Sequence, residues 1–336
     1  MSDNQILLSH GSGGKQTNSL ISDLFLKYFN NSIISEMNDA AQLTLEGNKI
    51  AFTTDSFVVN PIFFNGGNIG KLAVCGTVND IAVSGAKPLF LSSAFIIEEG
   101  FEKGKLEEIV KAMAEEAEKA GIKIVAGDTK VVEKGSADGI FINTTGIGTI
   151  RDNVNIKACN AMPGDVVIVN GTLGDHGITI MCERNGLGFD GDIKSDCASL
   201  NGLIESMLEV CPSIHVLRDA TRGGVAAVLN EIAEASNVSI RLREKSIPVK
   251  DEILGVCEFL GLDPLYIANE GKLCAFVPEE YADEVLKIMK KHPLGTDSSI
   301  IGKVVERGNN KVYIDTVVGG QRIVDMPSGQ QLPRIC

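Results

Sequence analysis

The chain lacks several features that mark large classes of protein. Its 336 residues include no tryptophan and only 5% aromatic residues, so the core must consist mainly of aliphatic side chains, as in many α/β and α+β domains. No apolar run approaches the ~20 residues that a membrane-spanning helix needs, and the opening Met-Ser-Asp-Asn-Gln is polar. We therefore expect a cytoplasmic protein without a membrane partner.

Positive charge is also scarce. The formal net charge is −13, and no run rich in lysine or arginine offsets it. Because such a surface repels a polyphosphate backbone, we expect no nucleic-acid partner.

The sequence has no sign of a metal centre built on thiolates or imidazoles. The eight cysteines form no Cys-x-x-Cys pair and no regular spacing typical of a disulfide framework. The four histidines form no His-Glu-x-x-His motif. We expect seven cysteines to be small buried residues, with Cys336 at the C-terminus set apart. Any metal should be a hard cation bound by oxygen atoms.

The length predicts two domains of roughly 150 residues each. Helical periodicity is present over 18–29, 69–84, 106–120, 174–184, 223–235 and 281–292, and strand patterns over 49–54, 89–97, 122–126, 139–150, 165–170, 239–243 and 271–277. The segment 151–163 is typical of a boundary. We therefore predict an α+β fold of two tandem mixed α/β domains, over 1–152 and 153–322, with a mobile tail over 323–336.

The glycine-rich start, His10-Gly-Ser-Gly-Gly-Lys, is a candidate phosphate-binding loop. Its glycines let backbone N–H groups point inward, and Lys15 adds a positive charge. It is not a Walker A loop, because Ser9 stands where that motif needs a glycine and Gln16 follows the lysine. A flexible entry loop is the alternative interpretation.

Five aspartates lie at strand ends or in short polar breaks of apolar stretches. They are Asp39, Asp55, Asp80, Asp128 and Asp219. Isolated charges in such places are costly unless they are paired or bind metal. Carboxylates that converge without histidine or thiolate partners suit Mg²⁺, whereas helix caps and turns are the alternative for any single aspartate.

Two further polar positions are candidates for proton transfer. Glu270 lies in Asn269-Glu-Gly-Lys just before an apolar strand, and Lys130 follows Gly-Asp-Thr. A surface turn is the alternative for each of them.

The C-terminal Cys336 stands out because an exposed thiol on a flexible tail packs against nothing and invites oxidation. The last ten residues contain two prolines and have no periodicity, so an extended tail would span roughly 30 Å. A structural role offers no benefit for this thiol. We expect a nucleophile or a carrier of an acyl-type group, ionised to a few per cent at neutral pH.

Eight segments together resemble a known family. They are His10-Gly-Ser-Gly-Gly, Phe52-Thr-Thr-Asp-Ser-Phe-Val-Val, Gly66-Gly-Asn-Ile-Gly-Lys-Leu-Ala-Val-Cys-Gly-Thr-Val-Asn-Asp, Gly127-Asp-Thr-Lys-Val-Val, Gly171-Thr-Leu-Gly-Asp-His-Gly, Arg218-Asp-Ala-Thr-Arg-Gly-Gly, Ala268-Asn-Glu-Gly-Lys and Pro333-Arg-Ile-Cys. The chain resembles the ATP-binding superfamily of aminoimidazole ribonucleotide synthetase, selenophosphate synthetase and thiamine-monophosphate kinase, and most of all its HypE family. The C-terminal cysteine discriminates, because the sister families lack it.

The resemblance implies a homodimer in which N-terminal sheets pair into a barrel and ATP lies in clefts beside the interface. It implies Mg²⁺ ligands at Asp39, Asp80 and Asp219. It implies nucleotide contacts at Gly11, Gly13, Gly14, Lys15, Asp55, Asn79, Gly127, Asp128 and Thr129. The implied catalytic residues are Cys336, Glu270 and Lys130, the last two lining a channel that receives the tail.

The implied activity is ATP-dependent dehydration of a carbamoyl group on the Cys336 thiol to a thiocyanate, which supplies cyanide to iron in [NiFe]-hydrogenase maturation. The implied partners are a HypF-type carbamoyltransferase and the HypC–HypD iron scaffold. One alternative is a sister enzyme, although a selenophosphate synthetase carries a cysteine or selenocysteine near its glycine-rich loop and here none precedes Cys75. The other is a non-catalytic scaffold that binds ATP.

Overall fold

The computed structural model describes residues 14–20, 22, 38, 41–45, 48–187, 193–329, 332 and 334–336. The predicted site residues Gly11, Gly13 and Asp39 lie outside this described part, as does most of the predicted helix 18–29.

The N-terminal part contains a five-stranded sheet. Its strands and a small ribbon are β1 (Ala41–Leu45), β2 (Asn48–Phe57), β3 (Phe63–Phe64), β4 (Gly67–Asn68), β5 (Ala86–Glu98), β6 (Lys123–Val132) and β7 (Ile140–Ile150). The spatial order of the sheet is β1-β2-β7-β5-β6, and β3 pairs with β4. Only the β5–β6 pair of this sheet is parallel in the described residues. β7 lies at the centre, as its apolar and threonine-rich sequence predicts.

Three helices accompany this sheet in the part of the chain that is described. They are α1 (Lys15–Leu20), α2 (Ile69–Val83) and α3 (Lys103–Ala120). α2 is apolar around most of its circumference and is therefore buried. Asn68 caps it, because its side-chain oxygen accepts hydrogen bonds from the N–H groups of Gly70 and Lys71 at 2.9 and 3.1 Å. A Cβ atom on Gly146 of β7 would lie 2.5 Å from Ile81 Cδ1, so glycine allows α2 to sit close to the sheet.

The sheet face opposite α2 carries an exposed apolar row. Cross-strand pairing places Phe52, Ile147 and Phe90 in one row, since Phe52 pairs with Ile147 and Ile147 pairs with Phe90. All three side chains are exposed. Ile96 of β5 is exposed as well. An exposed apolar row of this kind is typical of an interaction surface.

The C-terminal part contains a seven-stranded mixed sheet in the order β14-β13-β10-β12-β8-β11-β9. The strands are β8 (Val166–Val169), β9 (Val216–Asp219), β10 (Val238–Arg243), β11 (Leu273–Val277), β12 (Ser299–Arg307), β13 (Val312–Asp315) and β14 (Gln321–Ile323). The helices are α4 (Asp175–Asn185), α5 (Asn201–Val210), α6 (Gly224–Ser236), α7 (Asp251–Leu260) and α8 (Ala282–Lys291). Short 3₁₀ turns cover Ala158–Asn160, Glu244–Ser246, Pro264–Tyr266, Glu279–Tyr281 and Pro293–Gly295.

The structure confirms the α+β fold class with two mixed parts. It also contains α5, α7, β9 and β12–β14, which the sequence patterns do not predict. The expectation of seven buried cysteines is wrong at Cys159, which is exposed because it lies in a surface 3₁₀ turn. Among the described residues, no helix is both long and apolar enough to cross a membrane.

Candidate active site

Three of the predicted aspartates converge from three different elements. Asp55 lies on β2, Asp80 lies on α2, and Asp219 is the last residue of β9. Thr53 Oγ1 donates a 2.8 Å hydrogen bond to Asp80 Oδ2. A side-chain hydrogen bond joins Asp55 to Asp80, and the charge of Asp55 acts on Asp219. The two halves of the chain therefore share one acidic cluster.

Burial sets the pKa values of two carboxyls in this cluster. Desolvation raises the pKa of Asp55, although the Arg222 guanidinium and the hydrogen bond with Asp80 lower it. Burial also raises the pKa of Asp219 to about 6, against the opposing charge of Arg218 and with a further rise from Asp55. Both shifts mark negative charge that is poorly compensated.

The donor chemistry of this cluster fits Mg²⁺, which prefers carboxylate oxygens. A divalent cation would offset the desolvation that raises the pKa values of Asp55 and Asp219, and the further rise that Asp55 causes at Asp219. As they stand, no three His, Cys, Asp or Glu side chains in the described ranges are close enough to hold a metal ion. The predicted ligand Asp39 lies outside those ranges. The magnesium site stays a prediction.

Glu270 lies next to the acidic cluster and is only 3% exposed. Burial raises its pKa well above the ordinary value, and the charges of Asp196, Asp219 and Asp55 add to this rise, while Arg222 lowers it. Its Oε1 atom has no hydrogen-bond partner among the described residues. A buried carboxyl oxygen without a partner is available to a substrate or to a proton in transit.

The structure docks the C-terminal residues against the body of the protein. Val58 N–H donates to the Cys336 carbonyl oxygen at 3.1 Å, and Asn60 N–H donates to the Arg334 oxygen at 3.2 Å. In return, Arg334 Nε donates to the Val58 oxygen at 2.9 Å. Ile335 is buried in the hydrophobic core, and Cys336 packs against it. The mobility of the tail stays a prediction, and the structure describes one position of it.

The expectation of an exposed, slightly ionised Cys336 thiol is wrong for this docked position. Burial raises the pKa of the thiol to about 12, and Glu270, Asp55 and Asp219 raise it further, while Arg222 opposes them. The docked thiol is therefore protonated at neutral pH. The same interactions show that Cys336, Glu270 and the acidic cluster occupy one site.

Arg222 is a residue of this site that the sequence analysis misses. Its pKa is raised above the ordinary value, first by Cys336 and then by Asp55 and Glu270, although burial lowers it. Gly223 and Gly224, at φ of +78° and +62°, turn the chain directly after it into α6. Arg222 is part of the Arg-Asp-Ala-Thr-Arg-Gly-Gly motif, in which only the aspartate is predicted as a site residue.

The predicted phosphate-binding loop is described only at Gly14 and Lys15. Gly14 adopts φ of +86°, and a Cβ atom there would lie 2.3 Å from the Pro327 oxygen. The Lys15 N–H donates to the same oxygen at 3.0 Å, and its side chain is exposed. In this conformation the loop contacts the chain that leads into the tail.

Asn79 bridges the two halves of the molecule. Its Nδ2 donates to the Ala198 oxygen at 3.0 Å and the Glu270 oxygen at 3.3 Å, and its Oδ1 accepts from Leu200 N–H at 2.7 Å. All its side-chain hydrogen-bonding groups are thus taken up by protein here. Its predicted nucleotide contact stays a prediction.

The predicted residues of β6 lie apart from the buried site in a single chain. Gly127, Asp128, Thr129 and Lys130 are all exposed. Lys130 Nζ pairs with Asp128 Oδ2 at 2.7 Å, which lowers the pKa of that carboxyl. The structure does not bring Lys130 into the buried surroundings of Cys336 and Glu270, so its catalytic role stays a prediction.

Comparison with known proteins gives the family. Residues 37–150 match AIR synthase related protein, N-terminal domain, and residues 162–315 match AIR synthase related protein, C-terminal domain. The chain is 50% identical to carbamoyl dehydratase HypE of Escherichia coli (strain K12), over 99% of this chain and 100% of that protein.

Solved structures agree with the sequence comparison. A chain in the crystal structure of a HypE–HypF complex has a TM-score of 0.88 and 55% identity, covering 92% of this chain and 100% of that chain. HypE in complex with ATP has a TM-score of 0.84 and 47% identity, covering 99% and 100%. Fold and site thus define an AIR synthase related protein. Within that class, the chain belongs to the HypE family of hydrogenase maturation proteins.

Proposed function

We propose that this protein is an ATP-dependent dehydratase that converts a carbamoyl group on the Cys336 sulfur into a thiocyanate. The observation that carries the proposal is the desolvated Cys336 thiol beside Arg222 and a Glu270 carboxyl, one oxygen of which has no hydrogen-bond partner in the described part of the chain. The names of its relatives, carbamoyl dehydratase HypE and HypE in complex with ATP, support it.

The reaction removes the oxygen and both nitrogen-bound hydrogens of –S–C(=O)–NH₂ and leaves –S–C≡N. An amide-type oxygen is a poor leaving group, and ATP, when bound with Mg²⁺, supplies the phosphoryl group that lets it depart as phosphate. The products are then the thiocyanate, ADP and phosphate. The protein must hold the carbamoyl group, remove two protons and stabilise developing negative charge.

Glu270 suits the removal of protons from the carbamoyl nitrogen. It is buried beside Cys336, and its Oε1 has no partner among the residues that the structure describes. Burial raises its pKa well above the ordinary value, and a carboxylate with a raised pKa is a stronger proton acceptor. Arg222 supplies a positive charge at the same place, which favours negative charge developing near the sulfur.

The protonated state of the docked thiol bears on how Cys336 acquires its carbamoyl group. A thiol whose pKa is about 12 is a poor nucleophile at neutral pH, because the thiolate is the reactive form. We therefore infer that loading occurs with the tail withdrawn, on a HypF-type carbamoyltransferase. The HypE–HypF complex of a relative supports this partner. Withdrawal of the thiocyanate-bearing tail would likewise deliver cyanide to a HypC–HypD iron scaffold.

The exposed face of the N-terminal sheet supports a homodimer. Phe52, Ile147 and Phe90 form an apolar row, and β6 is an unpaired edge of the sheet among the described strands. A second copy that covers this face would also enclose Asp128 and Lys130. That arrangement accounts for functional residues on a strand that is exposed in one chain.

The mass of the tail tests the proposed reaction. We expect carbamoylated protein given MgATP to lose the mass of one water at Cys336, as measured by intact-protein and peptide mass spectrometry. A scaffold that only binds ATP would keep its mass. Cys336→Ala is the control that cannot be loaded at this position, and it should still bind ATP. Product formation by that variant would end the proposal.

A further inference from the structure

The 193–200 segment contacts both reactive parts of the site. It lies between α4 and α5 and has neither helix nor strand. Its consecutive residues Ser195 and Asp196 make hydrogen bonds in two directions, one toward the tail and one toward Glu270.

Ser195 reaches the tail through His176. His176 Nε2 lies 2.8 Å from the Ile335 carbonyl oxygen, and Nδ1 lies 2.8 Å from Ser195 Oγ. A carbonyl only accepts, so Nε2 carries the hydrogen. His176 is fully buried, and burial lowers its pKa, so the ring is neutral and Nδ1 accepts from the Ser195 hydroxyl. Ser195 Oγ in turn accepts from Cys197 N–H at 3.1 Å.

Asp196 holds the backbone on which Glu270 stands. Its Oδ1 accepts from Glu270 N–H at 3.1 Å, and its Oδ2 accepts from Gly271 N–H at 3.3 Å. Lys272 Nζ pairs with Oδ2 at 3.1 Å, and the side chains of both partners are largely buried. A Cβ atom on Gly271 would lie 2.0 Å from the Asp196 oxygen, so the two backbones are in close contact.

The segment is itself tied to the N-terminal half. Ser195 N–H donates to the Asn65 oxygen at 2.9 Å, and Leu200 N–H donates to Asn79 Oδ1 at 2.7 Å. Ser199 Oγ donates to Glu116 Oε1 at 2.8 Å. A segment anchored at several points can hold two distant groups in a constant relative position.

We propose that the 193–200 segment is a two-armed positioning element, in which Ser195 acts through His176 to place Cys336 and Asp196 places Glu270. The proposal rests on the proposed function, because the proposed reaction requires a controlled distance between the carbamoyl group on Cys336 and the general base Glu270. Ser195, His176 and Asp196 are positioning residues. An error of about 1 Å in such an arrangement costs roughly a hundredfold in rate.

The tail arm is tested by alkylation of Cys336 with iodoacetamide, located by mass spectrometry in a Cys159→Ser background that removes an exposed thiol. His176→Phe keeps a ring beside Phe64 but cannot donate to Ile335, and we expect alkylation about tenfold faster, the worth of one buried hydrogen bond. His176→Gln is the matched control, because its amide still donates, and it should stay within about threefold of the parent.

The Glu270 arm is tested by hydrogen exchange of the backbone amides at 270 and 271. Asp196→Asn should speed their exchange about tenfold, because it weakens the two bonds that they donate, and should leave the alkylation rate of Cys336 unchanged. His176→Phe should instead speed the alkylation of Cys336 and leave the exchange of these two amides unchanged. With carbamoylated protein, both variants should slow single-turnover dehydration about tenfold or more while ATP binding persists.

Parental alkylation of Cys336 in His176→Phe would overturn the tail arm. Equal release of the tail by Asp196→Asn would overturn the division into two arms, because the segment would then be disrupted as a whole. Unchanged amide exchange in Asp196→Asn would overturn the Glu270 arm. If the carbamoylated parent, without substitutions, fails to dehydrate its tail, the proposed function fails. The alkylation and amide-exchange measurements still decide the positioning roles.

Discussion

The surroundings of Cys336 and the strand β6 carry residues implied by the same resemblance, yet the structure treats them differently. Cys336 and Glu270 are desolvated and held by hydrogen bonds from several elements. The Lys130 side chain is 67% exposed, and it forms an ion pair with the nearby Asp128. One region is enclosed by groups of the same chain, whereas the other presents its groups to solvent.

The difference supports a division of the proposed active site into a part made within one chain and a part that we propose a second chain completes. The exposed apolar row of Phe52, Ile147 and Phe90 lies on the same sheet as β6. A dimer through that face would bring the exposed groups into a desolvated setting. Substitutions in each of the two parts test this division.

The largest effect is expected for Glu270→Gln, inside the buried region. The amide cannot accept a proton, so dehydration of the carbamoylated tail should slow by ~10²-fold or more while ATP binding persists. Single-turnover mass spectrometry measures the rate, and nucleotide titration measures binding. Glu205→Gln, at an exposed ion pair with Arg151, is the control and should behave as the parent does. Near-parental turnover of Glu270→Gln would remove Glu270 from its role.

A smaller effect is expected for Lys130→Ala, on the exposed strand. If a second chain encloses β6, dehydration should fall about tenfold, as for loss of one charged contact in a desolvated site. Stability should hardly change, because the Lys130–Asp128 pair is exposed. Lys123→Ala, at the other end of β6, serves as control. Equal rates for both variants would exclude Lys130 from the site and weaken the two-chain interpretation.

The last effect concerns stability instead of rate and comes from Asp219→Asn. The folded pKa of Asp219, about 6, exceeds the ordinary 3.8, so ionisation opposes folding. The destabilisation is absent below pH ~4, develops as pH rises to about 6, and is complete above it. In the presence of a chelator we expect the variant to be more stable by about 1–3 kcal/mol at pH 7.5 and equal to the parent at pH 4.

Thermal unfolding across that pH range measures the difference. Mg²⁺ with ATP should reverse it, because the parent keeps a carboxylate that the variant lacks. A variant that is less stable than the parent at pH 7.5 without metal would show that Asp219 is adequately compensated.

Local signals predict much of the fold. α3 ends where Gly121 adopts φ of 69°, as a glycine after a lysine- and alanine-rich helix predicts. β7 is central, as its apolar and threonine-rich sequence predicts. Such predictions depend on residues a few positions apart. The helix α7 is not among the predicted helices, although its sequence is amphipathic.

The candidate site was predicted in its carboxylates but not in its organisation. His176 and Ile335 are 159 residues apart, and Asp196 and Glu270 are 74 apart, so no local pattern connects them. The exposed thiol was expected because a tail with two prolines has no periodic apolar face. What buries it is backbone pairing with residues 58–60, which depends on N–H groups that every sequence supplies.

That backbone pairing makes the main chain at Val58 and Asn60 a candidate site for inhibition. The hydrogen bonds there are made to main-chain atoms of the C-terminal Arg-Ile-Cys segment. A short peptide of that sequence with serine in place of cysteine would therefore compete for the same site. The native tail is tethered, with an effective concentration on the order of millimolar. A useful competitor must therefore gain affinity from groups beyond the tripeptide, or act while the tail is held by a partner.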